Sequence, residues 1–191
     1  ELDGRTLGIL GLGRIGRHTA LLAKAFGMRS IAATRTPPGD DELATLPIEA
    51  VFPASEMDRV LREADYLLLS LPLTDATQNL IDERTLALMK NSAYLINVSR
   101  AGLVDERALY DALKERRIAG AAIDVWWREP AGQGDEPQPA TYPFWELDNV
   151  LLSPHISGIT DGLLGRRLKV VAENIDRFAR GEPLLNVIQV G

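Results

Sequence analysis

The sequence predicts an α/β protein built on a doubly wound parallel sheet, and three observations predict it. Runs of strand length that are apolar throughout recur along the chain, stretches of helical periodicity separate them, and a glycine-rich turn joins the first strand run to the first helical one. Strands with no polar alternation are those covered on both faces, which is the situation of a parallel sheet between two layers of helices. At 191 residues, 46% hydrophobic and 25% charged, the chain is ordinary in composition and long enough for a substantial core, so one domain is expected.

The strands expected are RTLGIL (5–10), RSIAAT (29–34), YLLLS (66–70), AYLINV (93–98), AGAAIDV (119–125) and VLLS (150–153), with a weaker one at AVF (50–52). Between the first two, RIGRHTALLAKAFG sets Ile15, Ala20, Leu22, Ala23 and Phe26 at helical spacing, and Gly27 supplies a stop. DERALYDALKERR repeats the helical pattern with Asp105 as cap and a basic last turn. The stretch GLLGRRLKVVAENIDRFARGEPLLNVI reads as a long amphipathic helix followed by a tail at about 181–191.

Charge and composition exclude several classes of partner. Lys and Arg number 21 against 27 Asp and Glu, a formal net charge of -6, and no basic block occurs, so a nucleic-acid partner is not expected. No apolar run approaches the ~18 residues of a membrane span, and no membrane partner is expected. There are no cysteines, which removes disulfides, thiolate metal sites and a Cys nucleophile, and no metal site is expected. A reducing, cytoplasmic location fits. The chain starts at Glu1 rather than a methionine, so an upstream segment, a targeting signal included, is compatible with it.

The glycine turn LGILGLGRIGRH (7–18) carries the first functional expectation. G-x-G-x-x-G alone is weak, but here it follows an expected strand and opens an expected helix, the context of a Rossmann-type dinucleotide site. Gly11 permits the tight turn, Gly13 lets the backbone approach a pyrophosphate, and Gly16 lets the helix lie close to the sheet. The N–H groups of the first turn, where Arg14 and Ile15 stand, meet the phosphates. At the end of the second strand, Thr34, Arg35 and Thr36 occupy the place where a carboxylate usually binds the adenosine ribose. A guanidinium there suits a 2'-phosphate, so NADP(H) is expected over NAD(H); the alternative is a solvated Arg35 and use of both cofactors. His18 is expected to face solvent or phosphate.

The second informative stretch, LINVSRAGLVDERAL, ends an apolar strand on a Ser-Arg pair, where ligands of open α/β sheets gather. With it, GLGRIG, SLPLTDATQNLI, AAIDVWWREP and LLSPHISG occur in order, and together the five blocks resemble the D-isomer-specific 2-hydroxyacid dehydrogenase family across nearly the whole chain. The resemblance implies a catalytic trio of Arg100, Glu129 and His155. Taken singly, each has a bland reading: a surface ion-pair partner, a solvated turn, a strand-end cap. As a set their chemistry is coherent, since Arg can pair bidentately with a 2-oxo acid carboxylate and polarise its carbonyl. His, titrating near neutrality, can pass the proton that accompanies hydride transfer, and Glu can orient the imidazole and favour its protonated form.

The resemblance further implies Asp124 at the nicotinamide carboxamide, Val98 and Ser99 facing the same ring, and Pro72, Thr77 and Gly158 among the cofactor contacts. Trp126 and Trp127 receive no role. The segment between Glu129 and His155 is longer than usual in the family, punctuated by Pro130, Pro137, Pro139 and Pro143, and is expected to be irregular. Family members begin with a separate substrate domain, and nothing here corresponds to it. Residues 1–191 therefore read as a dinucleotide-binding domain that alone binds cofactor but turns over slowly or not at all, for want of a lid. By resemblance a homodimer is expected. The leading function is reduction of a small 2-oxo acid such as glyoxylate or hydroxypyruvate; the competing one is a dinucleotide-sensing module like the family's corepressors. Glu129 argues against formate oxidation, where the family places a Gln.

Overall fold

Seven strands run side by side in one direction: β1 (Thr6–Leu10), β2 (Arg29–Thr34), β3 (Ala50–Pro53), β4 (Tyr66–Leu69), β5 (Tyr94–Asn97), β6 (Gly120–Ile123) and β7 (Val150–Leu152). Their order is β3-β2-β1-β4-β5-β6-β7, and every neighbouring pair is parallel. The weak AVF strand is real, and pairs with β2 through Ile31 to Thr34. Helices α1 (Arg14–Ala25), α2 (Asp40–Leu43), α3 (Met57–Glu63), α4 (Glu83–Leu86), α5 (Glu106–Lys114) and α6 (Leu163–Ala179) complete the chain. This computed structural model describes residues 1–130, 132, 134 and 138–187. It divides into two compact units, Glu1–His155 with the sheet and α1 to α5, and Ile156–Gly191 with α6.

The strands read as continuously apolar because both faces are covered. Leu67 and Leu69 of β4 enter one core with Leu61, Leu95, Leu109 and Leu113, while Leu68 between them enters the other with Leu7, Ile9, Ala20, Ala23 and Ala32. The strand order reverses between β1 and β4, which leaves a crevice above their carboxyl ends.

Helix α1 does not pack with its large apolar residues. Its buried face is Gly16, Ala20 and Ala23, whereas Ile15, Leu22 and Phe26 are 56%, 53% and 60% exposed. The reason is proximity. A Cβ at Gly16 would stand 2.5 Å from the Gly11 carbonyl oxygen and 3.0 Å from Ile9 Cγ2, so only the smallest side chains fit beneath the helix. Gly27, with φ +71°, stops it as expected.

Helix α5 follows the sequence closely: Asp105 caps it by accepting the Ala108 N–H at 2.8 Å, and Lys114 closes the last turn. The short helices α2, α3 and α4 have no counterpart in the sequence expectation. A capping box starts α4, in which Asp82 accepts the Thr85 N–H at 2.8 Å and Thr85 Oγ1 accepts the Asp82 N–H at 2.7 Å. The Thr85 backbone N–H, more than any other contact, holds the Asp82 carboxyl below its ordinary value, against the opposing effect of burial. At the other end of the sheet, burial pushes the Asp65 carboxyl up, but Lys90 and the Thr6 N–H, each at 2.8 Å, together outweigh it and leave the group lowered.

The described part of the segment expected to be irregular is tied to the body of the domain by aromatic contacts. Trp127 stacks on Phe144 with ring centroids 5.3 Å apart, Phe144 meets Tyr110 edge-on, and Tyr110 stacks on Tyr142. The Trp127 indole N–H donates to the Val104 carbonyl at 3.0 Å, and the Arg128 N–H donates to the Pro139 carbonyl at 3.0 Å, closing the neck of the loop. Residues 144–146 form a single 3-10 turn. Of the four prolines, Pro137 lies outside the described residues. In the second unit, Asn174 of α6 exchanges both amide hydrogen bonds with the Leu185 backbone, folding the tail onto its own helix.

Candidate active site

The carboxyl ends of the strands carry the residues singled out by sequence, and several of the strands end a residue or two earlier than the apolar runs do. Ser70, Val98, Asp124, Val125 and Ser153 all lie just past the last residue of their strands. There the chain leaves the sheet to build the site.

At the end of β1, Gly11 has φ +94°, and a Cβ on it would meet Ser70 and Leu71 at 2.8 to 2.9 Å. Only glycine fits. Gly13 differs, because a Cβ there would meet nothing within 4 Å. Its missing side chain leaves open space in front of the first turn of α1, which has no side-chain cap and no acidic residue. That is the arrangement in which free N–H groups and the helix dipole attract an anion. Arg14 and Ile15 are exposed in that turn, and His18 is exposed one turn on. Ser70 fixes the loop by donating its hydroxyl to the Gly11 carbonyl at 2.7 Å.

Thr34 ends β2 half-buried, with Arg35 and Thr36 exposed beyond it. Arg35 makes no hydrogen bond or ion pair among the described residues, whereas Arg17 of α1 pairs with Glu42 of α2. After β4, Thr77 accepts the Thr74 N–H and donates its hydroxyl to the Pro72 carbonyl, each at 2.8 Å, so it ties down the loop on which Pro72 is exposed. Ser99 donates its hydroxyl to the Leu71 carbonyl and thereby joins the exits of β4 and β5.

Arg100 is exposed at the exit of β5, and its guanidinium donates to the Ser99 carbonyl at 2.6 Å. The backbone carrying it is held by Asn97, 2% exposed, whose amide donates to the Arg100 carbonyl at 3.0 Å and accepts the Ser99 N–H at 3.1 Å. Sequence reasoning missed Asn97. The available signal was an amide at the end of an otherwise apolar strand, since a buried amide must find partners.

The exits of β6 and β7 bring together residues distant in sequence. His155 Nδ1 lies 2.7 Å from Glu129 Oε1, both side chains a little under half exposed. An ionised carboxylate can only accept, so Nδ1 carries the shared proton and Nε2 is left for exchange with another molecule. His155 has φ +56°, a left-handed backbone that costs a non-glycine residue about 1–2 kcal/mol and persists only where its surroundings impose it. Asp124, 4% exposed, accepts the Ser153 hydroxyl at 2.6 Å. Glu129, His155, Trp126 and Pro154 line a cleft of about 670 Å3. Strand β6 separates β5 from β7, so Arg100 leaves the sheet two strands, roughly 10 Å, from the strand that leads to His155. Gly158 is exposed in the second unit. No group of three or more metal-ligating side chains occurs among the described residues, and none of their helices is long and apolar enough to cross a membrane.

A crevice at the strand-order reversal and a glycine turn opening a helix are the features of a dinucleotide-binding domain, and an exposed His-Glu pair lies at the same carboxyl-end rim of the sheet. More narrowly, residues 1–157 match the model of the D-isomer specific 2-hydroxyacid dehydrogenase NAD binding domain, and the chain belongs to that family. A glyoxylate reductase of Korarchaeum cryptofilum is 41% identical over 188 residues, covering 98% of this chain and 53% of that protein. Two solved structures superpose with comparable quality. An NAD-complexed D-isomer specific 2-hydroxyacid dehydrogenase from Lactobacillus delbrueckii ssp. bulgaricus has a TM-score of 0.80 at 29% identity, covering 97% of this chain and 56% of that one. An NADPH-dependent glyoxylate/hydroxypyruvate reductase from Sinorhizobium meliloti, in complex with NADP and sulfate, has a TM-score of 0.79 at 27% identity, covering 97% and 55%. The chain spans about half the length of these relatives.

Proposed function

We propose that this chain is the cofactor half of an NAD(P)H-dependent reductase of small 2-oxo acids, glyoxylate or hydroxypyruvate being the substrates of choice, with Arg100, Glu129 and His155 as its catalytic residues. The observation that carries this reading is the 2.7 Å contact between His155 Nδ1 and Glu129, an imidazole and a carboxylate 26 positions apart that meet at an exposed edge within reach of a ligand. The bound nicotinamide supplies the hydride. Glu129 holds the imidazole by its Nδ1–H, so that Nε2 gives a proton to the substrate oxygen in reduction and takes it back in oxidation. Arg100 pairs with the substrate carboxylate and polarises the neighbouring carbonyl.

Gly11, Gly13 and Gly16 with the first turn of α1 hold the pyrophosphate, and Asp124 with the backbone at Val98 and Ser99 orients the nicotinamide. A guanidinium at the end of β2, with no hydrogen bond or ion pair among the described residues, supports NADP(H) over NAD(H). The test is a panel of 2-oxo acids assayed on the full-length protein with NADPH and NADH. Faster turnover of a two- or three-carbon 2-oxo acid with NADPH is expected. Arg35→Ala should cut kcat/KM for NADPH by about tenfold and change that for NADH little, the loss of one charge-assisted contact. A clear NADH preference in the wild type would overturn the cofactor assignment.

A further inference from the structure

Trp126 lines the same cleft as the His-Glu pair and belongs to neither of its halves. Its indole N–H donates to the Ser153 carbonyl at 2.9 Å, while its ring is half-buried against the main core and lines the cleft that holds His155. The bond falls at a particular place in a series. Strands β6 and β7 end their ladder with the Ser153 N–H donating to the Ile123 carbonyl at 3.0 Å. The next tie is the Ser153 hydroxyl to Asp124, the next is Trp126 to the Ser153 carbonyl, and the last is His155 to Glu129. Along the β6 exit each tie lies farther out than the one before, while on the β7 exit the first three fall on Ser153 and the last on His155.

The neighbouring Trp127 is also half-buried and also donates its indole N–H to a carbonyl, but to Val104, and its ring stacks on Phe144. One tryptophan thus fastens the long loop to the body of the domain, and the other fastens the β6 exit to the β7 exit. Two residues separate Trp126 from Glu129, and one separates Ser153 from His155. His155 itself has a left-handed backbone, φ +56°, a conformation that its surroundings must impose.

We propose that Trp126 is a positioning residue for the proton-transferring pair: its indole N–H, bonded to the Ser153 carbonyl, sets the approach of His155 to Glu129. The proposal rests on the reading of that pair given above. It predicts that loss of the N–H alone, with the ring kept, lets the imidazole turn away from the carboxylate and lose its preference for a proton on Nδ1.

The chain has two histidines, and His18 on α1 serves as an internal reference. With the histidines labelled with 15N, the imidazole nitrogen shifts of the full chain in alkaline buffer report each ring's tautomer directly. In the wild type His155 should show the Nδ1–H form, and Trp126→Phe should lower the Nδ1–H to Nε2–H ratio by about tenfold, the scale of one hydrogen bond. His18 should not change. Trp127→Phe removes an equivalent N–H elsewhere and should leave His155 as it was. Full retention of the Nδ1–H form in Trp126→Phe would overturn the positioning role while leaving the pair intact. Equal effects of the two substitutions would overturn it too, by reducing it to general loosening. If wild-type His155 shows no Nδ1–H preference, the pair itself is wrong, and the proposal falls with it.

Discussion

The two ends of the site are built on opposite principles. At the β1 end the determinants are missing side chains: Gly11 where φ is +94°, Gly16 where a Cβ would be 2.5 Å from a carbonyl oxygen, and Gly13 where nothing stands in front. At the β6 and β7 end the determinants are present side chains held by one another, Glu129 on His155 and Ser153 on Asp124. The first kind acts by letting backbone approach backbone or ligand, and its parts lie within six residues. The second acts by convergence across 26 residues or more, and depends on every tie between two chain exits.

The largest effect that would sharpen this contrast lies away from the glycines, at the exit of β5. Arg100→Ala in the full-length protein should lower kcat/KM for the 2-oxo acid by roughly two to four orders of magnitude, with the NADPH dissociation constant changed little. A matching loss in both quantities would mean that Arg100 supports the fold of the cleft.

At the glycine end, two substitutions of the same size should behave differently. Gly16→Ala forces a Cβ against the Gly11 carbonyl, so thermal unfolding should show a loss of about 1–3 kcal/mol. Gly13→Ala meets open space and should leave the melting temperature within error, while titration calorimetry shows weaker dinucleotide binding. Equal destabilisation by the two would break the distinction between a packing glycine and an approach glycine.

The smallest effect concerns stability with pH. Asp82 and Asp65 are both held below their ordinary values, so their contribution is present above the unfolded carboxylate range and is lost as pH falls through the lowered folded values. Asp82→Ala should cost about 1 kcal/mol at neutral pH, as loss of a helix cap does. The gap from wild type should narrow in strongly acidic buffer. A gap that persists there would show that the charge of Asp82 is not what stabilises α4.

The fold was legible in the sequence because a doubly wound sheet writes its signal locally. Six apolar runs and a glycine turn each sit within one element, and the helix cap at Asp105 needs only its own first turn. What escaped is non-local. Ile15, Leu22 and Phe26 look like a core face by spacing, and only the closeness demanded by Gly16 reveals that the alanines are buried instead. Asn97, Ser70 and Trp126 tie loops at the carboxyl ends of the strands through hydrogen bonds to carbonyls between 3 and 59 positions away, partners that no periodicity identifies. The trio itself became visible through the family resemblance, because an Arg, a Glu and a His have ordinary surface readings one at a time.

The most direct test replaces the group that would move the proton. With NADPH and glyoxylate, His155→Ala in the full-length protein should lose about two to four orders of magnitude in turnover followed by nicotinamide absorbance, with dinucleotide affinity kept within about threefold. Turnover that survives the substitution, or cofactor affinity that collapses with it, would contradict the assignment of His155.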